Sequence, residues 1–285
     1  MIAGRYLNGR GQRILTLASL SAVALFAGGA ALSAETPEPA ESQAQPAPVQ
    51  AKPVVAKEAA PFAVVELFTS ESCPSCPTAD RLLSELGAQA RKHNQRLMPL
   101  AFHVDYWRSG RAADPYSATA FADRQKTYAA VLDDGEVYTP QMVVNGRVAF
   151  IGSEKSTAER QIKSAFSRPA AATVALTVED GSSPGTLRVN CDVRSAATSA
   201  KLQLAVVERN LSGRGRDRLD NVVRVFKTVP LSKGSVQSIE LPLPRGLVRK
   251  NASVVAYVQD SRSLAILGAS SVDIGSTVGR MVSAE

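Results

Sequence analysis

The stretch VVELFTSESCPSCPTAD, residues 64–80, joins a short apolar run to two cysteines three positions apart, then to the start of a helical pattern. Val64, Val65, Leu67 and Phe68 are the β-branched, aliphatic and aromatic types that suit a buried strand. Beyond Cys76, Leu82, Leu83 and Leu86 recur with the spacing of one helix face. A thiol pair at such a junction admits three chemistries: a redox couple, two metal ligands, or a small structural staple. Cys73 is expected at or just before the first helical turn, with Pro74 at the first helical position. Its sulfur would then face unpaired backbone N–H groups and the positive end of the helix dipole. Both favour the thiolate, which is the nucleophilic form. Cys76, one turn later, is placed to resolve a mixed disulfide on Cys73.

Outward from this stretch the pattern alternates. RLMPLAFHV (96–104) reads as a second buried strand and YSATAFADRQKTYAAVL (116–132) as a second helix. PQMVV (140–144) and RVAFIG (147–152) flank Asn145-Gly146, a strong hairpin signal through a type I′ turn. SEKSTAERQIKSAF (153–166) closes the unit as a helix. The order β-α-β-α-β-β-α, with a crossover helix between the first two strands, predicts an α/β domain over residues 61–168.

After residue 168 the helical texture stops. TVALTVE, TLRVNCDV, KLQLAVVE, NVVRVFKTV, VQSIELPL, ASVVAYVQD and LAILGASSVDI give seven strand candidates, several separated by turn pairs such as Asp180-Gly181 and Pro184-Gly185. This predicts an all-β, antiparallel, sandwich-like accessory domain over 169–285. It holds no histidine and one cysteine, Cys191, whose alternating context reads as a buried strand position.

Three groups are expected to accompany the thiols. Thr139-Pro140 stands immediately before a strand. Glu66 lies inside the first apolar strand, where a carboxylate is costly without a job or a partner; near a redox pair it would shuttle the resolving thiol's proton. His103, Asp105 and Trp107 end the second strand and fall on one side if the strand continues, at the strand edge where α/β folds place their sites. His103 would tune the Cys73 thiolate or bind a ligand. As a metal site the set is thin, because a structural zinc site needs four N or S ligands. A copper-type site on Cys73, Cys76 and His103 is the remaining metal alternative. No motif implies a cofactor.

The first 34 residues read as a signal peptide or an uncleaved membrane anchor: Arg5, Arg10 and Arg13 precede the apolar run Ile14–Leu32, with small residues after it. Residues 35–60, rich in Pro, Ala, Glu and Gln, read as an extended tether. Periplasmic or secreted placement follows, where a disulfide persists. Removing the leader takes away three arginines and no acids, lowering the formal charge from +7 to +4, a balance that suits no dedicated nucleic-acid groove. The densest basic cluster, Arg209, Arg214, Arg216 and Arg218, is mixed with acids and lacks aromatics, as a solvated loop does.

Together VVELFTSESCPSCPTAD, PLAFHVDYW, DPYSATAFADRQKTYA and VYTPQMVVNG resemble the bacterial secreted family called domain of unknown function 1223, within the thioredoxin-like superfamily. The resemblance implies a thioredoxin-like domain and an exported thiol–disulfide oxidoreductase acting on protein thiols or disulfides, or on a redox partner protein. In it Cys73 attacks, Cys76 resolves and Pro140 is the cis-proline packed beside the disulfide with Thr139. The rival from another class is an envelope binding or assembly module with a static disulfide. The chain departs from the usual pattern at the Pro74-Ser75 dipeptide, at Ser72 in place of a tryptophan, and at Glu66, one residue farther from the first cysteine than the usual buried acid.

Overall fold

The computed structural model describes residues 60–107, 114–132, 135–195, 197, 199–213, 218–231 and 236–275. The expected leader, nearly all of the expected tether, Arg214 and Arg216 lie outside the described residues. The first half runs β1 (Ala63–Thr69), α1 (Pro77–Lys92), β2 (Leu97–His103), α2 (Thr119–Leu132), β3 (Gln141–Val144), β4 (Val148–Ile151) and α3 (Lys155–Phe166). That is the order expected from the sequence. β1 pairs in parallel with β2 and antiparallel with β3, and β3 pairs antiparallel with β4. Every residue of β1 is buried, as a central strand covered on both faces requires.

The strand period of two divides the side chains of β1 between two cores. Ala63, Val65 and Leu67 join Ala79, Leu82 and Leu83 of α1 and Ala158 and Ile162 of α3 in one apolar cluster. Val64 and Phe68 join Phe102 of β2 and Phe121 and Tyr128 of α2 in another. Asn145 and Gly146 turn β3 into β4 with φ of +47° and +61°, the left-handed pair that a type I′ turn needs. The Asn145 side chain also ties the turn to β1, accepting from Val64 N at 2.7 Å and donating to Phe62 O at 3.1 Å.

The second half consists of β5 (Ala172–Asp180), β6 (Thr186–Ser195), β7 (Ala200–Glu208), β8 (Leu211–Ser212), β9 (Arg218–Leu219), β10 (Val222–Pro230), β11 (Val236–Pro242), β12 (Ala252–Asp260) and β13 (Ile266–Asp273). All seven expected segments are strands, with the short β8–β9 ribbon in addition. Their pairing differs from a free-standing sandwich. β10 lies beside β2, Ala101 N donating to Asn221 O at 2.7 Å. The result is one eight-stranded mixed sheet, ordered β13-β12-β7-β10-β2-β1-β3-β4, plus a three-stranded antiparallel sheet β11-β6-β5. The boundary expected near residue 168 falls between α3 and β5, and the large sheet runs across it. The small sheet packs on β7 and β12 through Val174, Leu176, Val189, Leu202, Leu204 and Val254. Pairing between β2 and a strand some 120 residues later leaves no local trace in sequence, whereas each strand's own alternation does.

Candidate functional site

Cys73 and Cys76 form a disulfide with Cα atoms 5.4 Å apart. It sits between the end of β1 and the start of α1. The helix begins later than the spacing suggested: Cys76 is its N-cap and Pro77, not Pro74, takes the first helical position. Residues 73–76 instead form a turn, with Cys76 N on Cys73 O at 3.4 Å. The reason is local. The first helical acceptor is the Cys76 carbonyl, which takes Ala79 N at 2.9 Å and Asp80 N at 3.0 Å. Cys73 therefore stands one turn ahead of the helix, and its polar support comes from elsewhere in the chain.

That support is Thr139. Its hydroxyl donates to Cys73 Sγ at 3.3 Å, and it accepts the indole N–H of Trp107 at 2.7 Å. The Thr139-Pro140 bond is cis, and Pro140 is buried. Ser75 Oγ lies 3.5 Å from Cys73 Sγ and 3.4 Å from the Thr139 carbonyl, so its single hydrogen serves one of the two at a time. The loop carrying Thr139 is anchored from α2. Fully buried Gln125 donates to Tyr138 O at 2.7 Å and to Gln141 Oε1 at 3.0 Å, and accepts the Tyr106 hydroxyl at 2.9 Å.

His103, Asp105 and Trp107 do not share one side, because β2 ends at His103. Trp107 reaches the thiols through Thr139. His103 Nδ1 lies 2.8 Å from Asp114 Oδ2, both side chains almost fully buried. Asp114 also accepts Ser70 Oγ at 3.3 Å and the amides of Glu71 at 2.8 Å and Tyr116 at 3.0 Å. Burial opposes its ionisation, but the bonds from His103 and the two amides outweigh that and hold its carboxyl below the ordinary range. The pair thus pins the segment just ahead of Cys73 to the end of β2. Asp105 takes a different task, accepting Thr119 Oγ1 at 2.6 Å at the start of α2.

Glu66 is fully buried but faces away from α1, on the side of β1 that holds Val64 and Phe68. Arg124 of α2 grips its two oxygens through Nε and Nη2, each at 2.7 Å, and the hydroxyls of Tyr128 and Tyr257 donate to Oε1 at 3.0 and 3.2 Å. Arg124 in turn lies over the rings of Phe226, Tyr128, Phe102 and Tyr257. Burial works against the arginine's charge, yet the adjoining Glu66 carboxylate holds its pKa well above the ordinary value. The expected proton shuttle beside the thiols is therefore a structural ion pair on the opposite face, as the period of two along β1 dictates.

Asp80 is a further carboxylate of α1, one turn past Cys76. Thr69 Oγ1 donates to its Oδ1 at 2.8 Å. Burial pushes its pKa up to about 6, against the opposing pull of the Thr69 bond and the field of His103. Asp80, Asp114, Gln125 and Arg124 were missed by sequence reading. Only Asp80 had a local signal, its four-residue spacing from Cys76 on one helix face.

Among the described residues no group of three or more His, Cys, Asp and Glu side chains is placed to hold a metal ion, and His103 is engaged by Asp114. Cys191 is free and fully buried among the side chains of β5, β6 and β11, where burial pushes its thiol up to about 12. Of the basic cluster, Arg209 pairs with Asp273 at 3.3 Å and Arg218 donates to Asn210 O at 3.1 Å. No helix of the described residues is long and apolar enough to cross a membrane.

Comparison with known proteins agrees with this fold. A thioredoxin of Methanocaldococcus jannaschii is 32% identical over 89 residues, spanning 31% of this chain and 78% of that protein. A crystal structure of a protein from Agrobacterium tumefaciens superposes with a TM-score of 0.61 at 24% identity, covering 79% of this chain and 99% of the other. HBP35 of Porphyromonas gingivalis gives a TM-score of 0.55 at 17% identity, covering 79% and 80%; both structures speak to fold alone. Residues 64–259 match the family described as protein of unknown function (DUF1223). A thioredoxin-like start, a disulfide at the head of α1 and a match across most of the chain place this protein in the DUF1223 family of the thioredoxin-like superfamily.

Proposed function

We propose that the protein is a thiol–disulfide oxidoreductase acting on protein thiols or disulfides, with Cys73 attacking and Cys76 resolving. The observation that carries this reading is the Trp107–Thr139–Cys73 chain of hydrogen bonds, 2.7 and 3.3 Å long. When the disulfide is reduced, the same hydroxyl is aimed at the sulfur that must hold negative charge, and a hydrogen bond to the charged form favours it. Export to the periplasm or beyond, by the N-terminal 34 residues as leader or anchor, belongs to the same proposal; an oxidising compartment is where the Cys73–Cys76 pair would persist as a disulfide.

The test is trapping. In a Cys76→Ser variant the attacking thiol has no resolving partner, so a mixed disulfide with substrate protein accumulates on Cys73. Absence of any adduct after incubation with oxidised protein substrates or extract sinks the reading. The reduction potential of the pair then gives the direction: about −120 to −200 mV for an oxidant or isomerase and near −270 mV for a reductant.

One observation favours a second reading, a static disulfide in a binding or assembly module. Cys73 and Cys76 are only 2% and 0% exposed. A potential below about −300 mV, with resistance to glutathione at neutral pH, is the outcome that reading requires.

A further inference from the structure

We propose that Gln125 of α2 is a positioning residue for the thiol site: its carboxamide holds the Thr139 hydroxyl where that hydroxyl stabilises the Cys73 thiolate. The assignment rests on the oxidoreductase reading, because a stabilised thiolate matters only if Cys73 attacks. The buried face of α2 consists of Phe121, Ala122, Gln125, Tyr128 and Ala129. A fully buried glutamine in such a face is costly unless each of its polar atoms is paired. The pairs it makes bracket the groups that reach the sulfur. Nε2 donates to Tyr138 O at 2.7 Å and to Gln141 Oε1 at 3.0 Å, on either side of the Thr139-Pro140 pair. Oε1 accepts the hydroxyl of Tyr106, the neighbour of Trp107, at 2.9 Å. Tyr106 in turn contacts the Thr139 side chain.

Chemistry fixes which way the carboxamide points. A backbone carbonyl only accepts, so the amide nitrogen must face Tyr138 O, and the oxygen is left for the Tyr106 hydroxyl. A hydrocarbon side chain of the same length would fill the space and make none of these bonds. The helix that carries Gln125 is itself held: Arg124, the preceding residue, grips both oxygens of Glu66 on β1, and Phe121 and Tyr128 sit in the apolar core. Gln125 therefore sets the height of the Thr139 loop against the strand that leads into Cys73. Two other ties reach the loop, Gly152 N on Pro140 O at 2.8 Å and Ser75 Oγ on the Thr139 carbonyl at 3.4 Å, and neither holds residue 138.

The distance at stake is short. Thr139 Oγ1 stands 3.3 Å from Cys73 Sγ, and a functional constellation tolerates a displacement of only about 0.5 Å. A loop freed at residues 138 and 141 loses that precision while Thr139 itself remains in the chain. Gln125 thus acts on the sulfur through Thr139, and its effect should vanish when the Thr139 hydroxyl is absent.

The test uses the full-length Cys76→Ser chain, in which Cys73 is the reactive thiol and Cys191 is fully buried. Alkylation by iodoacetamide is followed across pH. Gln125→Met is expected to move the Cys73 titration to higher pH and to slow alkylation below its midpoint by about 3- to 10-fold. Added to Thr139→Val, the same substitution should change the rate by less than about twofold, since both act on one bond. A glutamine that serves stability alone gives another pattern, a lower unfolding midpoint with the Cys73 titration unchanged, and that result overturns the proposal. So do effects of the two substitutions that multiply independently. Either outcome leaves the oxidoreductase reading standing, whereas absence of any mixed disulfide on Cys73 in Cys76→Ser removes that reading and this proposal with it. A measurement on the reduced, unmutated protein decides the matter if Gln125→Met does not fold. The carboxamide hydrogens of Gln125 should exchange with solvent at least about 100-fold more slowly than those of exposed Gln89 on α1. Exchange at the Gln89 rate overturns the assignment.

Discussion

Thr139 donates its hydroxyl hydrogen to Cys73 Sγ across 3.3 Å, although 66 positions separate the two residues in the chain. The contact couples the cis-proline loop to the thiol pair, and Trp107, on the loop after β2, completes it by donating to the same hydroxyl. Three separate segments thus converge on one sulfur.

Thr139→Val keeps the shape of the side chain and deletes the donor. In the reduced protein the Cys73 thiolate should lose about 1.5–3 kcal/mol of stabilisation, which raises its pKa by roughly one to two units. Alkylation by iodoacetamide at a pH below that pKa should slow by about 10- to 100-fold, and Trp107→Phe should give a smaller change of the same sign. An unchanged thiolate titration in both variants refutes the role assigned to the hydroxyl.

Glu66→Gln should damage stability and leave the thiol chemistry alone. Removing one partner of a buried ion pair costs about 3–5 kcal/mol, because the remaining charge stays buried. Denaturant unfolding should show that loss, while the reduction potential of Cys73–Cys76 stays at the parent value. A shifted potential without a stability loss would return Glu66 to the proton-shuttle role.

Asp80 makes stability depend on pH with a definite sign. Its folded pKa lies near 6 and its ordinary value is 3.8, so the folded chain holds the proton more tightly. Its contribution is fullest below pH 3.8 and falls as the pH rises towards 6, staying low above it. Asp80→Asn resembles the protonated form throughout. Its oxidised form should match the parent near pH 3.8 and gain up to about 3 kcal/mol at neutral pH, as read by unfolding curves across that window. A pH-independent difference refutes this.

Gly146 tests the join between the hairpin and the second half. At φ +61° a Cβ on residue 146 would lie 2.0 Å from the Leu264 carbonyl oxygen. Gly146→Ala should therefore cost more than the about 1 kcal/mol expected of a left-handed conformation alone, measured as a lowered midpoint in denaturant. Equal stability would mean that the turn and the segment before β13 are not held together.

How much was legible in the sequence follows the range of the interactions. Each strand and helix announces itself through its own period, so α1, α2, α3 and the seven C-terminal strands stand where Leu82, Phe121, Ile162 or Leu204 mark a buried face. The Cys73–Cys76 pair and the Asn145-Gly146 turn are equally local. Ser72-Cys73-Pro74 misled about the helix start, because Pro74 and Pro77 both suit a first turn and only the hydrogen bonds to the Cys76 carbonyl decide between them. Glu66 misled for a related reason: its burial was correctly expected, but which side of the sheet it faced depended on α1 and α2 covering opposite faces.

By itself, the sequence determined the secondary structure, the thiol pair and its family, because these depend on residue types a few positions apart. Tertiary structure alone decided the rest. It set β10 beside β2 to build one sheet, locked Glu66 to Arg124, and brought Thr139 and Trp107 to Cys73. It left Asp80, one turn past Cys76, with a raised pKa. Those outcomes depend on which surfaces exclude water together, and a linear pattern does not record that.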